Sequence, residues 1–240
     1  MAEVVGVAAT GPSTASLAEV YRALSEAYGH QPWWPAQSTF EVMVGAVLTQ
    51  NTQWRNVERA IAAMREADLL TAEAIVGADA GRLATVLRPV GYFNVKARRL
   101  QALCRWVLDQ GGTGALSAWP GERLREALLD VHGVGPETAD DIVLYGFGFP
   151  VFVVDAYTRR LLARLGVPGL PLPRGYEQLR AAIERELPRD VEVFQQFHAL
   201  IVEHSKRLCR ARAPSCGRCV LVSICHHGRA EAGCDVHDAG

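Results

Sequence analysis

Four of the six cysteines lie in one short run near the C-terminus, a pattern typical of a metal centre. Cys209, Cys216, Cys219 and Cys225 follow the spacing C-x6-C-x2-C-x5-C. Four thiolates on so short a loop can enclose a single metal centre. A zinc ion is the simplest centre for any set of four cysteines. Residues 204–229 carry no acid and six basic side chains: Lys206, Arg207, Arg210, Arg212, Arg218 and Arg229. We therefore expect this loop to face a polyanion.

A second motif is a glycine turn that the sequence places between two helices. A helix predicted over residues 122–131 ends at Gly133, and both Gly133 and Gly135 permit a positive φ. Pro136 suits the first position of the next helix. A phosphate can then bind at the turn. Its contacts would be the turn amides, including that of Val134, and the positive N-terminus of the second helix, where Thr138 lies. Taken alone, Gly-x-Gly also fits an ordinary helical turn.

Asp155 is the candidate reacting carboxylate. It follows the apolar run 151–154 and precedes a helix predicted to start near Ala156. An aspartate here can be a plain N-cap that accepts the amides of the next turn. A carboxylate fixed in that geometry can also stabilise a developing cation or activate water.

The elements that must position these residues are helices. Apolar residues recur at helical spacing along most of the chain, and the run 151–154 has no partner strand. A hydrophobic content of 49% excludes a disordered chain, and no apolar stretch reaches the length of about 18 residues needed to span a bilayer. Net charge is −1. We interpret two further basic groups as solvated helix faces: Lys96, Arg98, Arg99 and Arg105 form one, and Arg159, Arg160 and Arg164 the other. With no secretory signal and with clustered thiols, we expect a cytoplasmic protein.

The hairpin, Asp155 about twenty residues after it, and the cysteine run resemble the endonuclease III superfamily of DNA glycosylases, over residues 33–225. The cysteine spacing is that of the family's 4Fe-4S loop, and the gaps of six and five residues are unusual for zinc ribbons. The resemblance implies a structural 4Fe-4S cluster, a catalytic role for Asp155, and DNA contacts from the hairpin, Arg210 and Arg212.

The sequence departs from bifunctional endonuclease III at one position. Those enzymes carry a lysine two residues after the second hairpin glycine, which forms a Schiff base with the sugar and then nicks the strand. Glu137 occupies that position here. We therefore predict a monofunctional glycosylase without AP-lyase activity. Glu137 contributes either to the base pocket or only to the N-terminus of its helix.

Three tryptophans suggest a pocket for an extruded base. Trp33, Trp34 and Trp54, with Gln50 between them, lie in the segments W-W-P and L-T-Q-N-T-Q-W. These segments, with R-P-V-G-Y-F-N-V-K-A-R-R-L, are similar to the bacterial 3-methyladenine DNA glycosylase III group, whose members differ from this chain in lacking the cluster cysteines. The resemblance implies tryptophan walls that stack on a cationic base, and a Gln50 side chain that fills the gap left by the flipped base. The alternatives are inter-lobe packing for the tryptophans and a surface position for Gln50.

The sequence thus predicts an all-α fold of two lobes with a DNA cleft between them. Residues 33–149 form a helical bundle with the hairpin, residues 15–32 plus 150–225 form the iron-sulfur domain, and residues 1–14 and 226–240 are flexible termini. The predicted function is hydrolytic excision of an alkylated purine such as 3-methyladenine from double-stranded DNA, by a monomer. A glycosylase for oxidised pyrimidines, uracil or mismatched bases is one alternative, and a non-catalytic DNA-binding homologue is the other.

Overall fold

The computed structural model describes residues 15–167, 170 and 175–234, the last three of these by their backbone alone. The predicted all-α class is confirmed, since no β-strand occurs within these residues. Residues 1–14 and 235–240 of the predicted flexible termini lie outside the described residues. None of the helices described is long and apolar enough to cross a membrane.

Thirteen α-helices are numbered in chain order within the described ranges. They are α1 (Leu17–Tyr28), α2 (Thr39–Leu48), α3 (Trp54–Glu66), α4 (Ala72–Gly77), α5 (Ala80–Val86), α6 (Phe93–Asp109), α7 (Gly112–Leu116), α8 (Gly121–Leu129), α9 (Pro136–Asp141), α10 (Ala156–Leu165), α11 (Tyr176–Glu186), α12 (Val191–Arg207) and α13 (His226–Cys234).

The chain divides into two compact units. The hairpin unit comprises Pro32–Val153 and Arg189–Gln196, and the cysteine unit comprises the other residues that the structure describes. The iron-sulfur domain predicted from sequence includes residue 32 and residues 150–153 and 189–196, which lie instead in the hairpin unit. Two contacts hold residues 189–196 there: Phe194 packs edge-to-face on Phe152, with ring centroids 5.6 Å apart, and the Gln195 side-chain amide donates to the Leu144 carbonyl.

The hairpin unit is built around α2, which is buried from Glu41 to Leu48. Lys96 on α6 corrects one sequence interpretation, because it is not part of a solvated face but only 2% exposed. Its Nζ donates to the carbonyls of Leu48 (2.9 Å) and Val90 (2.8 Å), so it caps the end of α2 from within the core. Burial, together with the charge of Arg99, lowers the pKa of Lys96 to about 8.

The cysteine unit contains α1, α10, α11, the later part of α12, and α13. Its first helix begins with a capping box, in which Ser16 and Glu19 bond each other's backbone amides. Residues 226–234 belong to the tail predicted to be flexible, but they form α13. This helix starts against the cysteine loop, because the amides of Gly228 and Arg229 donate to the Cys225 sulfur (3.3 Å) and carbonyl (3.0 Å).

Candidate active site and cysteine loop

Asp155 caps the N-terminus of α10, as its position before an amphipathic segment predicted. Its backbone is extended, and its Oδ1 accepts the Thr158 amide at 2.7 Å. The residue is 9% exposed. Burial pushes its pKa upward, but the neighbouring His198 imidazole and the Thr158 amide outweigh this and hold the pKa of Asp155 below its usual value. The side chain is therefore a buried, oriented anion at neutral pH.

Two residues that sequence reasoning missed surround Asp155. His198 on α12 places its Nε2 3.6 Å from Oδ2 of the carboxylate, an ion-pair distance rather than that of a hydrogen bond. The Tyr176 hydroxyl, at the start of α11, accepts the amide of Val154 at 3.2 Å and so holds the backbone just before the carboxylate. The only sequence signal for His198 was a polar residue in a largely apolar helical segment, which by itself does not indicate a partner.

The glycine turn joins α8 to α9 as a helix-hairpin-helix. Gly133 has φ +88°, whereas Gly135 has φ −98°, so only the first glycine needs the left-handed region. A Cβ on Gly133 would lie 2.2 Å from Cγ of Arg99, whose stem packs on the turn. Gly135 and Pro136 are exposed, while the Val134 side chain is buried. The two glycines therefore differ. The packing and the positive φ require glycine at position 133, whereas Gly135 leaves its backbone exposed to solvent.

Gln50 is bound into the hairpin. Its Nε2 donates to the Gly133 carbonyl (3.1 Å) and to Oγ1 of Thr138 (2.9 Å), and its Oε1 accepts from Arg99. Thr138 is itself 4% exposed. The structure therefore brings together three of the predicted DNA-binding residues, and the insertion of Gln50 into DNA stays a prediction.

The three predicted pocket tryptophans form one aromatic cluster. Trp34 meets Trp54 edge-to-face with ring centroids 5.0 Å apart, and Trp33 lies 6.1 Å from Trp54. Tyr145, which sequence reasoning missed, joins them at 5.4 Å from Trp34. All four side chains are half-buried. Glu137, the remaining predicted pocket residue, is exposed in the first turn of α9.

The four cysteines of the run line a single cavity in the cysteine unit. Leu161, Leu208 and Leu221 contribute apolar walls, and His204 lies on the same cavity. Several donors face the sulfurs: the Leu221 amide reaches Cys219 at 3.4 Å, and the Arg164 guanidinium reaches Cys209 at 3.2 Å. Among the described residues, no three His, Cys, Asp or Glu side chains are arranged as ligands of one metal ion.

Helix α10 holds the loop in place through two arginines. Arg160 Nε donates to the Cys209 carbonyl at 2.9 Å, and Arg164 donates to the carbonyls of Arg210 (2.7 Å) and Ala211 (3.2 Å). These two guanidinium groups, interpreted from sequence as a solvated face, are thus used to order the loop. Arg210 and Arg212 are exposed, and Arg210 also donates to Oγ of Ser215.

This arrangement has counterparts among known proteins. Residues 44–188 match the family described as "HhH-GPD superfamily base excision DNA repair protein". A protein of Methanocaldococcus jannaschii named "Putative DNA repair glycosylase" is 42% identical over 210 residues, covering 86% of this chain and 94% of that protein. Endonuclease III of Treponema pallidum is 28% identical over 212 residues, covering 86% and 91%.

Two solved structures share the fold. A non-covalent complex of endonuclease III with DNA gives a TM-score of 0.78, covering 90% of this chain and 97% of that one, and its 21% identity makes it a likeness of fold alone. The 3-methyladenine DNA glycosylase of H. pylori, bound to 1,N6-ethenoadenine, gives 0.69 at 28% identity, covering 79% and 96%. The family match spans more than half of the chain and the archaeal relative is covered almost completely, so this chain belongs to the HhH-GPD superfamily of base excision DNA repair proteins.

Proposed function

We propose that the protein is a DNA glycosylase that hydrolyses the N-glycosidic bond with Asp155 as its catalytic carboxylate. The observation that carries this is the buried Asp155 anion at the start of α10. As the bond breaks, positive charge builds on the sugar, and a fixed carboxylate stabilises it and orients the attacking water. Water adds to the sugar carbon, a proton goes to the departing base, and an abasic site remains.

We further propose that the enzyme lacks AP-lyase activity, because a side-chain amine for Schiff-base chemistry is not at hand. The sequence contains only two lysines, Lys96 and Lys206. Lys96 is buried, with its amine bonded to two carbonyls. Lys206 lies eight residues after His198 on α12, which is about 12 Å along a helix axis. Neither lysine therefore supplies a free amine next to Asp155 for Schiff-base formation.

One experiment separates the two claims. Duplexes with a single lesion are incubated with the wild type and with Asp155→Asn, and strand cleavage is read with and without alkali. We expect wild-type cleavage only after alkali, and none with the variant. In parallel, borohydride trapping on abasic DNA should give no covalent adduct, with an endonuclease III as positive control. Cleavage without alkali or a trapped adduct refutes the monofunctional claim, and an active Asp155→Asn refutes the assignment of the carboxylate.

The proposed substrate is an N-alkylated purine such as 3-methyladenine. The aromatic cluster of Trp33, Trp34, Trp54 and Tyr145 supports it, because indole faces favour a cationic base. The 28% identity to the H. pylori glycosylase also supports it. Excision of the alkylated base at least tenfold faster than uracil or thymine glycol is the expected result, and the reverse order overturns the assignment.

For the cysteine loop we propose a structural 4Fe-4S cluster, held by Cys209, Cys216, Cys219 and Cys225. The fit rests on the donor set: four thiols line one cavity, and N–H groups of Leu221, Gly228 and Arg164 face their sulfurs. When bound, the cluster cross-links the loop and orders its basic side chains. Anaerobic protein should hold about four irons and four sulfides per chain, whereas zinc without sulfide contradicts the proposal.

We also propose that the protein acts as a monomer on double-stranded DNA in the cytoplasm, at the nucleoid. Arg210 and Arg212, exposed on the cysteine loop, and the open Gly135 backbone support phosphate contacts. Sedimentation of the free protein and of its complex with a short duplex tests this, since a 1:1 complex is expected. A 2:1 complex contradicts the monomer.

A further inference from the structure

His204 is a fully buried histidine that the glycosylase reaction does not use. It lies on α12 and is 0% exposed. Its Nδ1 is 2.9 Å from the Tyr28 hydroxyl of α1, and its Nε2 is 3.5 Å from the Cys219 sulfur. The ring therefore bridges a helix of the cysteine unit and one of the four thiols of the run.

The chemistry at the sulfur fixes how the protons on the ring are arranged. A metal-bound Cys219 is a thiolate, which carries no proton and accepts hydrogen bonds only. A neutral imidazole has one N–H and one bare nitrogen, so Nε2 must carry the hydrogen that points at the sulfur. Nδ1 is then the acceptor, and the Tyr28 hydroxyl donates to it. With a metal bound to Cys219, the order of donation would thus be Tyr28 to His204 to Cys219.

The packing around Tyr28 holds its hydroxyl against His204. Its ring meets the His204 ring edge-to-face at 5.8 Å, and the Arg207 guanidinium lies 5.5 Å from the centroid of the tyrosine ring. The tyrosine hydroxyl is thereby held on the histidine by packing as well as by its hydrogen bond. Partners of this kind, one step away from a ligand, orient the ligand and tune the electron density on it.

We propose that His204 is a positioning residue for the metal centre, which donates its Nε2–H to the Cys219 thiolate while Tyr28 fixes the tautomer. The inference rests on the proposed 4Fe-4S cluster. A hydrogen bond to a ligand sulfur withdraws electron density from it and favours the reduced state, so it raises the reduction potential. It also makes the thiolate less available to oxidants. His204 and Tyr28 thus set how easily the cluster is oxidised and lost.

The test compares four variants of the full chain, purified anaerobically. His204→Leu removes the donor, and His204→Gln retains an amide N–H close to the position of Nε2. Tyr28→Phe removes only the hydroxyl that fixes the tautomer. Tyr21→Phe is the matched control: Tyr21 lies on the same helix and its ring packs on Phe197, with centroids 5.5 Å apart. Iron and sulfide contents, the midpoint potential and the half-life of the cluster under ferricyanide are measured.

We expect His204→Leu and Tyr28→Phe to shift the midpoint potential to more negative values and to shorten the half-life of the cluster several-fold. His204→Gln should restore both quantities toward the wild type, and Tyr21→Phe should leave them unchanged. If His204→Leu does not fold, Tyr28→Phe decides. Full cluster content with an unchanged potential in Tyr28→Phe overturns this inference alone. A wild type without iron and sulfide overturns the cofactor proposal, and the inference with it.

Discussion

Replacing Asp155 by asparagine separates the N-cap that the structure shows from the catalytic role that we propose for this residue. Asparagine is about as good an N-cap as aspartate, because its amide oxygen can still accept the Thr158 amide. What it loses is the charge. A comparison with Asp155→Ala, which loses both the charge and the cap, then isolates each contribution.

The expected magnitude follows from the loss of one charge close to the reacting sugar. Two unit charges about 4 Å apart attract by about 4 kcal/mol at an effective dielectric of about 20. Since the sugar carries only part of a full charge in the transition state, we expect Asp155→Asn to slow excision by about 10²–10³-fold. Loss of the cap in Asp155→Ala should reduce the free energy of unfolding by about a further 0.5–2 kcal/mol.

The pH dependence of stability provides an independent check on the same residue. The pKa of Asp155 in the folded chain lies below its usual value of 3.8, so the unfolded chain binds more protons in that range. The stability that the carboxylate contributes is complete above pH 3.8 and is lost as the pH falls through the folded pKa. The wild type should therefore be more stable than Asp155→Asn at neutral pH, and this difference should shrink on acidification.

Single-turnover excision and urea unfolding of the two variants provide the measurements. Single-turnover rates exclude product release, so they report the chemical step. If Asp155→Asn retained excision within about threefold of the wild type, Asp155 would be a structural cap and the carboxylate mechanism would be wrong. If its loss of activity were matched by a loss of fold, the asparagine cap argument would be wrong instead.

Three further perturbations follow from the structure. His198→Asn removes the imidazole that favours the carboxylate, so the acidic limb of the pH–rate profile should move to higher pH as the pKa of Asp155 rises; an unmoved limb contradicts the pairing. Lys96→Met should lower the free energy of unfolding by about 1–3 kcal/mol, because two buried carbonyls lose their donor. Since the pKa of Lys96 is lowered from 10.5 to about 8, wild-type stability should also rise with pH between these values, and that of the variant should not. Gly133→Ala places a Cβ 2.2 Å from the Arg99 side chain, at a φ of +88°, and should weaken duplex binding by tenfold or more in a filter-binding assay. The Cβ of Gly135→Ala meets nothing within 4 Å, so this variant should keep the fold, as measured by thermal melting.

Local signals in the sequence were enough to predict the hairpin and the cap. Gly133 needs a positive φ, Pro136 opens the next helix, and Asp155 precedes a periodic apolar segment. Each of these is decided by residues within one or two helical turns. The same holds for the all-α class, because helical periodicity is a property of short windows.

What the sequence did not predict depends on distant partners. Lys96 looked like one of four solvated cations, yet its amine caps a carbonyl 48 residues earlier. His198 and Asp155 are 43 positions apart, and Gln50 meets Thr138 across 88. Charge and polarity in a short window do not reveal which side chains tertiary packing buries together, so these contacts emerge only from the folded chain.

Helix α10 connects Asp155 to the cysteine loop within the cysteine unit. Asp155 caps its first turn, and Arg160 and Arg164 bind the carbonyls of residues 209–211 from its later turns. Ten residues of helix span about 15 Å. One rigid helix therefore carries the carboxylate at its start and the arginines that bind the cysteine loop further along. Both arginines are engaged with the loop, so the phosphate contacts that we propose would come from the exposed Arg210 and Arg212. If the four cysteines hold the proposed cluster, it would order the loop against Arg160 and Arg164 and so support the placement of α10, with Asp155 at its first turn.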